Sequence, residues 1–392
     1  MTQLEPIILI VDDSPVNLEI LKEALIKYNT VCASNGDEAM EIAFSRNKPD
    51  LILLDVIMPG IDGYEVCQIL KSNELSKDIP IIFITGQNDS TSILKGFEAG
   101  AIDYITKPFN ILELKARVKT QLSIKMARDQ NQRLMHKIRN VNKKLTDSIE
   151  YAKKIQNASL PQQNFLDQVM PEHFILLKPR DIVSGDFYWV EQINDKLIIV
   201  AADCTGHGVP GAFMSMFGVA YLHEIVGKNG ITQPAEIINQ LRRIVIDSLK
   251  QDEESEVKDG MDISIICIDK KTRHMEFAGA FNDMLLIRNQ ELNIYQADHM
   301  PVSIGESNKP YTNHTIEYQS GDCIYLYTDG YPSQFGGSND KKLMQKGFRK
   351  LLLNHHLQHM PEQLKSYNNF FTKWKGVNDQ IDDVLVIGMR LD

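Results

Sequence analysis

Short apolar runs alternate with helical patterns through the first 110 residues of the chain. The runs cover residues 7–11, 51–54, 81–84 and 104–105. Helical patterns separate them, so the order of elements is βαβαβ and onward. Such an alternation predicts an α/β domain with a parallel sheet.

From Pro161 onward the pattern changes to strands that alternate with turn signals, such as Asn194-Asp195 and Ser320-Gly321. Six strands are predicted, at 187–193, 197–202, 263–268, 275–278, 284–287 and 323–327. Helical patterns intervene near 209–227, 234–250, 341–357 and 361–374. This mixture predicts an antiparallel α+β domain.

A segment without glycine or proline, residues 110–160, joins these two regions and predicts one long helix. Eight of ten positions in alternating steps of three and four are apolar, which favours a parallel coiled-coil dimer with Asn131 setting the register. One long helix lying on its own domains is the alternative. The ten positions are 124, 127, 131, 134, 138, 141, 145, 148, 152 and 155. The predicted domains are 1–122, a helical linker at 123–160, and 161–392.

Length, charge and cysteine usage narrow the class of protein. A chain of 392 residues exceeds what one core normally serves, and a net charge of −10 argues against a nucleic-acid-binding protein. Residues 112–155 nevertheless hold 12 Lys or Arg against 4 Asp or Glu. This basic segment is interpreted either as a solvated helix face or as a surface that binds an anionic partner. Five scattered cysteines indicate reduced thiols. With no membrane-spanning run and no signal peptide evident, we expect a soluble, cytoplasmic protein that does not have a membrane as a partner.

Polar side chains follow four of the apolar runs in the first domain. They are Asp12 with Asp13, Asp55, Thr85 and Lys107. In parallel sheets ligands bind beyond the carboxyl ends of the strands. Clustered carboxylates need a divalent cation between them, and an all-oxygen site suits Mg²⁺. We expect Asp55 to be the nucleophile that forms an aspartyl-phosphate, with Lys107 pairing with its charge and Thr85 hydrogen-bonding a phosphate oxygen. Taken singly, each residue is also common at strand ends and turns.

The stretches ILIVDDSPVN, LILLDVIMPGIDGYE, IIFITG and GAIDYITKPF make residues 5–122 resemble the receiver domain of two-component response regulators. The resemblance implies a five-stranded sheet in the order 2-1-3-4-5 and phosphorylation of Asp55 by a partner histidine kinase. It also implies that Tyr104 is the aromatic switch residue, which moves inward when Thr85 turns toward the phosphate. A half-buried strand residue is the alternative for Tyr104.

Carboxylates also stand at strand ends in the second domain. They are Asp186, Asp203, Asp329 and the pair Asp382-Asp383. Soft ligands are absent from this set, which points to Mg²⁺ or Mn²⁺ rather than Zn²⁺. Aspartates around two such ions form a site that activates water and clamps the attacking and leaving oxygens of a phosphate. Asp203 precedes a glycine-containing turn, which lets backbone groups approach a metal or phosphate closely.

Histidines do not form a second ligand set in the sequence. His207 lies in the turn after Asp203, and without a second histidine at ligand spacing we prefer turn packing over a zinc ligand or a general base. The histidines at 355, 356 and 359 fall on a predicted amphipathic helix and are expected at the surface.

Eight stretches make residues 155–392 resemble the bacterial metal-dependent Ser/Thr phosphatases of the stage II sporulation protein E type, within the protein phosphatase 2C superfamily. They are IQNASLPQ, IVSGDFYWV, ADCTGHGVPGAFMSM, DGMDISI, FAGAFNDMLL, DHMPVSIG, YTDGYPSQFGG and QIDDVLVIGM. The resemblance implies a β-sandwich flanked by helices, with two Mn²⁺ or Mg²⁺ ions at one edge. Carried over by position, Asp203 bridges both metals and the Cys204 carbonyl binds one. Asp329 and Asp382 bind the other, and Asp186 is a ligand or orients a bound water.

The resemblance extends to supporting residues and has departures. It implies that Asp383 supports Asp382 and that Gly330 permits a close turn. Trp189 stands where many relatives have a second aspartate. Phe281 and Asp283 stand at the His and Pro positions of the more usual AGHNP stretch. The core metal carboxylates are intact, so activity is expected.

These patterns together predict a response regulator whose output is a protein phosphatase. Phosphorylation of Asp55 would act through the linker on hydrolysis of phosphoserine or phosphothreonine in a partner, with an anti-sigma-factor antagonist as the first candidate. One alternative is a catalytically inactive adaptor that binds a regulatory protein. The other is a transcription factor with a DNA-binding linker, against which the absence of a helix-turn-helix pattern argues.

Overall fold

The structure is a computed structural model that describes residues 5–86, 90–252, 258–305 and 309–392. The chain divides into two compact units, Met1–Asn142 and Lys143–Asp392. Within the described ranges one helical stretch, Gly208–Lys228, has the length and apolar composition of a membrane span, although the sequence pattern singles out no such run. Half of that stretch is buried in its own unit, which is typical of a core helix.

The first unit is an α/β fold around a five-stranded parallel sheet. The strand order is β2-β1-β3-β4-β5, which confirms the predicted topology. The strands are β1 Ile7–Val11, β2 Asn29–Ala33, β3 Leu51–Asp55, β4 Ile81–Thr85 and β5 Asp103–Thr106, and the helices are α1 Pro15–Ala24, α2 Gly36–Phe44, α3 Gly63–Ser72, α4 Ser90–Glu98 and α5 Ile111–Ser159. Strands β3 and β4 are buried at every residue, so they form continuous apolar runs. The edge strand β2 buries one residue in five, and its sequence carries no such run.

Helix α5 is the long helix that the sequence predicts, and it extends over 49 residues. Its first turns pack on the sheet through Leu114, Val118 and Leu122. Farther along, large apolar side chains at the predicted heptad positions are exposed, at Ile124, Leu134, Ile138, Val141, Leu145 and Ile155. Exposed apolar side chains in this spacing suit a partner helix. The coiled-coil dimer stays a prediction.

The second unit is a β-sandwich between two pairs of helices. Its antiparallel sheets have the orders β13-β10-β9-β8-β7 and β12-β11-β14-β17-β6. The strands are β6 His173–Lys178, β7 Phe187–Ile193, β8 Lys196–Cys204, β9 Met261–Asp269, β10 His274–Ala280, β11 Met284–Arg288, β12 Glu291–Tyr295, β13 His314–Glu317, β14 Cys323–Tyr327, β15 Phe335–Gly336, β16 Lys341–Lys342 and β17 Val384–Arg390. The helices are α6 Gln163–Val169, α7 Gly208–Leu222, α8 Pro234–Ser248, α9 Gly330–Ser333, α10 Met344–His355 and α11 Met360–Lys375, and α7 continues as a π-helical turn at His223–Lys228.

Three apolar layers hold this sandwich together. Ile199 and Ile266 of the first sheet share a core with Ile387 of the second. Helices α7 and α8 cover the outer face of the first sheet, and α10 and α11 cover that of the second. The arrangement confirms the predicted α+β fold, in which each sheet buries both faces.

In the second unit the sequence patterns find β7, β8, β9, β10, β11 and β14, and they miss β6, β12, β13, β17 and the two-residue strands β15 and β16. Strands β12 and β13 lie at sheet edges, and each has at most one buried residue, so their apolar signal is weak. The prediction that His356 lies at the surface is wrong. Its side chain is 7 % exposed, because helix α11 follows α10 directly and packs in the same apolar layer.

Candidate functional site

The carboxyl end of the parallel sheet brings together Asp12, Asp13, Asp55 and Lys107. One carboxylate oxygen from each aspartate lies within 4.8 Å of the others. The Lys107 ammonium is 2.8 Å from both Asp12 Oδ2 and Asp55 Oδ2. The Asn17 side chain donates to Asp12 Oδ1 at 3.0 Å and orients that carboxylate. The sheet thus assembles residues that the sequence separates by up to 95 positions.

Burial and neighbouring charges shift the pKa values of Asp55 and Lys107 in opposite directions. Burial raises the pKa of Asp55 above its ordinary value, against the opposing effect of Lys107. Burial lowers the pKa of Lys107, but hydrogen bonds to Asp12 and Asp55 outweigh burial and raise it overall. One lysine cannot neutralise three carboxylates. This oxygen-only donor set fits Mg²⁺, which prefers carboxylates together with waters and phosphate oxygens.

Thr85 and Tyr104, the predicted switch residues, line one cavity beside this cluster, together with Phe83 and Gly96. Thr85 is the last residue of β4 and is buried, whereas Tyr104 on β5 is half-buried. The Tyr104 ring meets Phe97 of α4 edge-on, with 6.1 Å between ring centroids. Thr85 and Tyr104 therefore lie on paired strands and line the same cavity.

A second acidic pocket lies at one edge of the sandwich, where β8, β9, β14 and β17 begin or end. Asp203 and Cys204 are the last residues of β8, Asp329 follows β14, and Asp382 precedes β17. Asp262 of β9 pairs with Asp203 across the first sheet. The pocket is lined by Asp203, Cys204, Thr205, Gly206, His207, Asp262, Asp329 and Asp382.

Asp186 lies behind this pocket and is 2 % exposed. Its Oδ2 accepts a hydrogen bond from the Thr328 hydroxyl at 2.6 Å. Its Oδ1 is buried and has no hydrogen-bond partner within the described ranges. Burial, and then the charge of Asp203, raises the pKa of Asp186 well above its ordinary value. A buried carboxylate oxygen that has no donor, in a side chain close to a second carboxylate, is the arrangement that a cation would satisfy.

The charges of the pocket are poorly compensated by the protein itself. Burial, and then the charges of Asp329 and Asp382, raises the pKa of Asp203 well above its ordinary value. Burial, and then the charge of Asp329, raises the pKa of Asp262 to about 7. Among the residues that line the pocket, no lysine or arginine is present. Several carboxylates and one carbonyl form an oxygen-rich donor set that fits Mg²⁺ or Mn²⁺.

Asp262 is the one carboxylate among the pocket-lining residues that the sequence patterns do not single out. It stands in the DGMDISI stretch, where Met261 and Ile263 on either side are buried. A carboxylate inside a strand that is otherwise apolar was the available signal. Its place opposite Asp203 follows only from the pairing of β8 with β9.

Asp383 supports the site through the segment that precedes β7. Its carboxylate accepts from the backbone N–H groups of Arg180 and Gly185, both at 2.6 Å. Its own N–H donates to Asp382 Oδ1 at 2.9 Å. A Cβ added to Gly330 would overlap the Asp383 carbonyl. The close turn at Gly330 therefore needs a residue without a side chain.

The interpretation of His207 as a turn-packing residue stays a prediction. Its side chain is half exposed, and its Nδ1 lies 2.7 Å from Asp181 Oδ2. The ring stands in the pocket wall at the residue before α7. A carboxylate that holds one ring nitrogen of a histidine orients the other.

The three departures from the family pattern lie outside the acidic cluster. Trp189 is 1 % exposed and belongs to the apolar core. Phe281 is 43 % exposed and has a positive φ of 58°. The Asp283 carboxylate accepts from the Ala297 N–H at 3.1 Å. None of the three lines the acidic pocket.

Two family models match the chain. The response regulator receiver domain matches residues 8–119, and stage II sporulation protein E matches residues 194–392, which is about half of the 392 residues. Among solved structures, the phosphatase part is similar to the SiaA-PP2C domain of Pseudomonas aeruginosa, at 31 % identity and a TM-score of 0.59. That match covers 64 % of this chain and 99 % of the other.

Curated relatives share shorter stretches with the chain. A probable cyclic di-GMP phosphodiesterase of Vibrio cholerae is 43 % identical over 123 residues, which are 31 % of this chain and 28 % of the relative. A probable transcriptional regulator, ycf27 of Porphyridium aerugineum, is 43 % identical over 117 residues, 29 % of this chain and 47 % of the relative. The chain spans less than half the length of these relatives. With a response-regulator receiver domain joined to a phosphatase-type domain, the chain belongs to the stage II sporulation protein E family.

Proposed function

We propose that this protein is a response regulator in which phosphorylation of Asp55 controls metal-dependent hydrolysis of phosphoserine or phosphothreonine on a partner protein. The observation that carries the proposal is the acidic pocket, where Asp203, Asp262, Asp329 and Asp382 meet with no lysine or arginine among the lining residues. Nearby, a buried oxygen of Asp186 lacks a donor in the described part of the chain. A site this acidic would bind cations, and Asp203, Asp329 and Asp382 are all present in this chain.

In this proposal the aspartates of the pocket would bind the metal ions, and His207 would transfer a proton. Two Mn²⁺ or Mg²⁺ ions, when bound, would supply a nucleophilic water at neutral pH and offset the charge of the phosphate. Asp203, between the other carboxylates, would be shared by both ions. His207 is oriented through Nδ1 by Asp181. Its Nε2 would give a proton to the serine or threonine oxygen that leaves.

The linker contacts the segment that carries Asp186 through one buried side chain. Gln156 stands near the end of α5, and its Nε2 donates to Ser184 O at 2.6 Å and to Ser215 Oγ at 2.8 Å. Its Oε1 accepts from the Ser184 N–H at 3.1 Å. Ser184 is two residues before Asp186, and Ser215 lies on α7. A rotation or shift of α5 would therefore move the segment that carries Asp186, which supports control through the linker.

The partners follow from these two chemistries. A cognate histidine kinase would phosphorylate Asp55 with Mg²⁺ bound by Asp12, Asp13 and Asp55. A phosphorylated anti-sigma-factor antagonist is the first candidate substrate, on the strength of the family. We propose a homodimer through the exposed heptad positions of α5 and a cytoplasmic location, with neither DNA nor a membrane as a partner.

One experiment separates the phosphatase from the inactive adaptor. Hydrolysis of a chromogenic phosphate ester and of a phosphoserine peptide is measured with Mn²⁺, with and without chelator. Chelator-sensitive hydrolysis that is lost in Asp329→Asn supports the phosphatase. No hydrolysis of either substrate, by a folded protein at saturating Mn²⁺, would leave the adaptor as the better explanation.

A further inference from the structure

Thr328 is a fully buried residue that touches neither the pocket surface nor the solvent. It follows β14 and directly precedes Asp329. Its hydroxyl donates to Asp186 Oδ2 at 2.6 Å and accepts from the Leu385 N–H at 3.0 Å. Its own N–H donates to the Leu385 carbonyl at 3.0 Å. One hydroxyl thus connects the three segments that carry Asp186, Asp329 and the Asp382-Asp383 pair.

The direction of this hydrogen bond determines which carboxylate oxygen of Asp186 is occupied and which is left without a partner. A hydroxyl has one proton, and the distance of 2.6 Å to Asp186 compares with 3.5 Å to the Leu385 carbonyl. A hydrogen bond from a hydroxyl to a carboxylate at this distance is of the strong, charge-assisted kind. This hydrogen bond occupies Oδ2. The other oxygen, Oδ1, is left without a partner in the described ranges.

We propose that Thr328 is a positioning residue for metal binding, which acts by fixing the Asp186 carboxylate through Oδ2 so that Oδ1 stays available to a divalent ion. The inference rests on the proposed function, because it assumes that Asp186 and Asp203 share a divalent ion. Hydrogen-bond partners of metal-binding carboxylates typically change metal affinity by 10- to 100-fold when they are removed. Without the hydroxyl, the Asp186 carboxylate would lose the hydrogen bond that fixes its orientation, and its rotation would remove a metal ligand.

A purely structural role for the same hydroxyl is the competing explanation, since it also accepts the Leu385 N–H between β14 and β17. Thr328→Val removes the hydroxyl and keeps the shape, whereas Thr328→Ser keeps the hydroxyl. Ser264→Ala is the matched control. Ser264 is a buried residue of β9 whose hydroxyl lies 3.4 Å from the Ala201 carbonyl, and in the described part of the chain it has no carboxylate as a hydrogen-bond partner.

The test is a Mn²⁺ titration of the full chain, in which free Mn²⁺ is counted by its electron paramagnetic resonance signal. We expect roughly 10- to 100-fold weaker Mn²⁺ binding in Thr328→Val, with Thr328→Ser and Ser264→Ala within about threefold of the wild type. In an Asp186→Asn background, Thr328→Val should add nothing further to the loss. Should the valine variant not fold, Thr328→Cys, with a thiol that donates weakly, replaces it.

The outcomes separate this inference from the proposed function. Wild-type protein that takes up no Mn²⁺ in the second domain would overturn both. Mn²⁺ uptake by the wild type with unchanged affinity in a folded Thr328→Val variant would overturn the role of Thr328 alone. An equal loss of affinity in Thr328→Ser, or in the Asp186→Asn background, would likewise show that the hydroxyl does not act through Asp186.

Discussion

Replacing Asp203 by asparagine should abolish phosphatase activity while it stabilises the metal-free domain. Asp203 stands at the end of β8 among Asp186, Asp262, Asp329 and Asp382, so one lost charge affects every ion held there. Asparagine keeps the shape of the side chain. We expect a decrease in rate on the order of 10³-fold or more, which corresponds to about 4 kcal/mol of transition-state stabilisation.

The stabilisation follows from the same crowding of carboxylates. Because the folded protein raises the pKa of Asp203, its charged form costs folding free energy at neutral pH when metal is absent. Each unit of such a shift corresponds to about 1.4 kcal/mol, and each kcal/mol moves the unfolding midpoint of a domain this size by about 2–4 °C. The substituted asparagine would carry no charge, so the gain is present at neutral pH and vanishes in acid, where the aspartate is also neutral.

The assay pairs two measurements on the full chain. Hydrolysis of a chromogenic phosphate ester is followed over a Mn²⁺ titration, and unfolding is followed by calorimetry in chelator at acid and neutral pH. The matched control is Asp195→Asn, which removes the same charge from the exposed turn at the other end of β8. Activity of Asp203→Asn within a few fold of the wild type at saturating Mn²⁺, or a lower midpoint at neutral pH, would refute the reasoning.

Four further predictions concern the receiver, the linker and the pH dependence of the site. A small phosphodonor with Mg²⁺ should label Asp55 alone in the receiver, and labelling that survives Asp55→Ala would remove that assignment. A whole heptad inserted near Val141 should preserve the coupling between phosphorylation and activity, whereas an insertion of half a heptad should break it. Identical behaviour of the two insertion variants, or a monomer by light scattering in both phosphorylation states, would show that the linker is only a tether. Gln156→Leu strands the buried Ser184 N–H, so we expect a loss of about 1–3 kcal/mol in calorimetry and weaker coupling of activity to phosphorylation, and an unchanged melting curve with intact coupling would contradict it. The pKa of Asp262 is raised to about 7, so its stabilising neutral form is present in acid and is lost as the pH rises through that value. The midpoint of thermal unfolding without metal should therefore fall over this pH interval, and the affinity for Mn²⁺ should rise.

The sequence by itself determines the secondary-structure elements and most of the residues that would supply metal ligands. Strands β3 and β4 are buried on both faces, so their apolar runs stand out, and the polar residues that follow them lie at the carboxyl end of a parallel sheet. A segment of 49 residues without glycine or proline forms helix α5. Asp203, Asp329 and Asp382 could be named because they interrupt or flank apolar strands in stretches shared with a family.

Only the tertiary structure decides which of these groups meet and what holds them. Asp262 faces Asp203 through the β8–β9 register, although 59 positions of chain separate them. Gln156 reaches Ser184 and Ser215, and Thr328 reaches Asp186 across 142 positions. No local pattern marks such contacts, because a buried hydroxyl or amide has the same neighbours in sequence whether or not it finds a partner. Burial also determines the charge state of an aspartate. The pKa of Asp203 is raised inside this pocket by desolvation and by neighbouring carboxylates, and both depend on packing between strands that are distant in sequence.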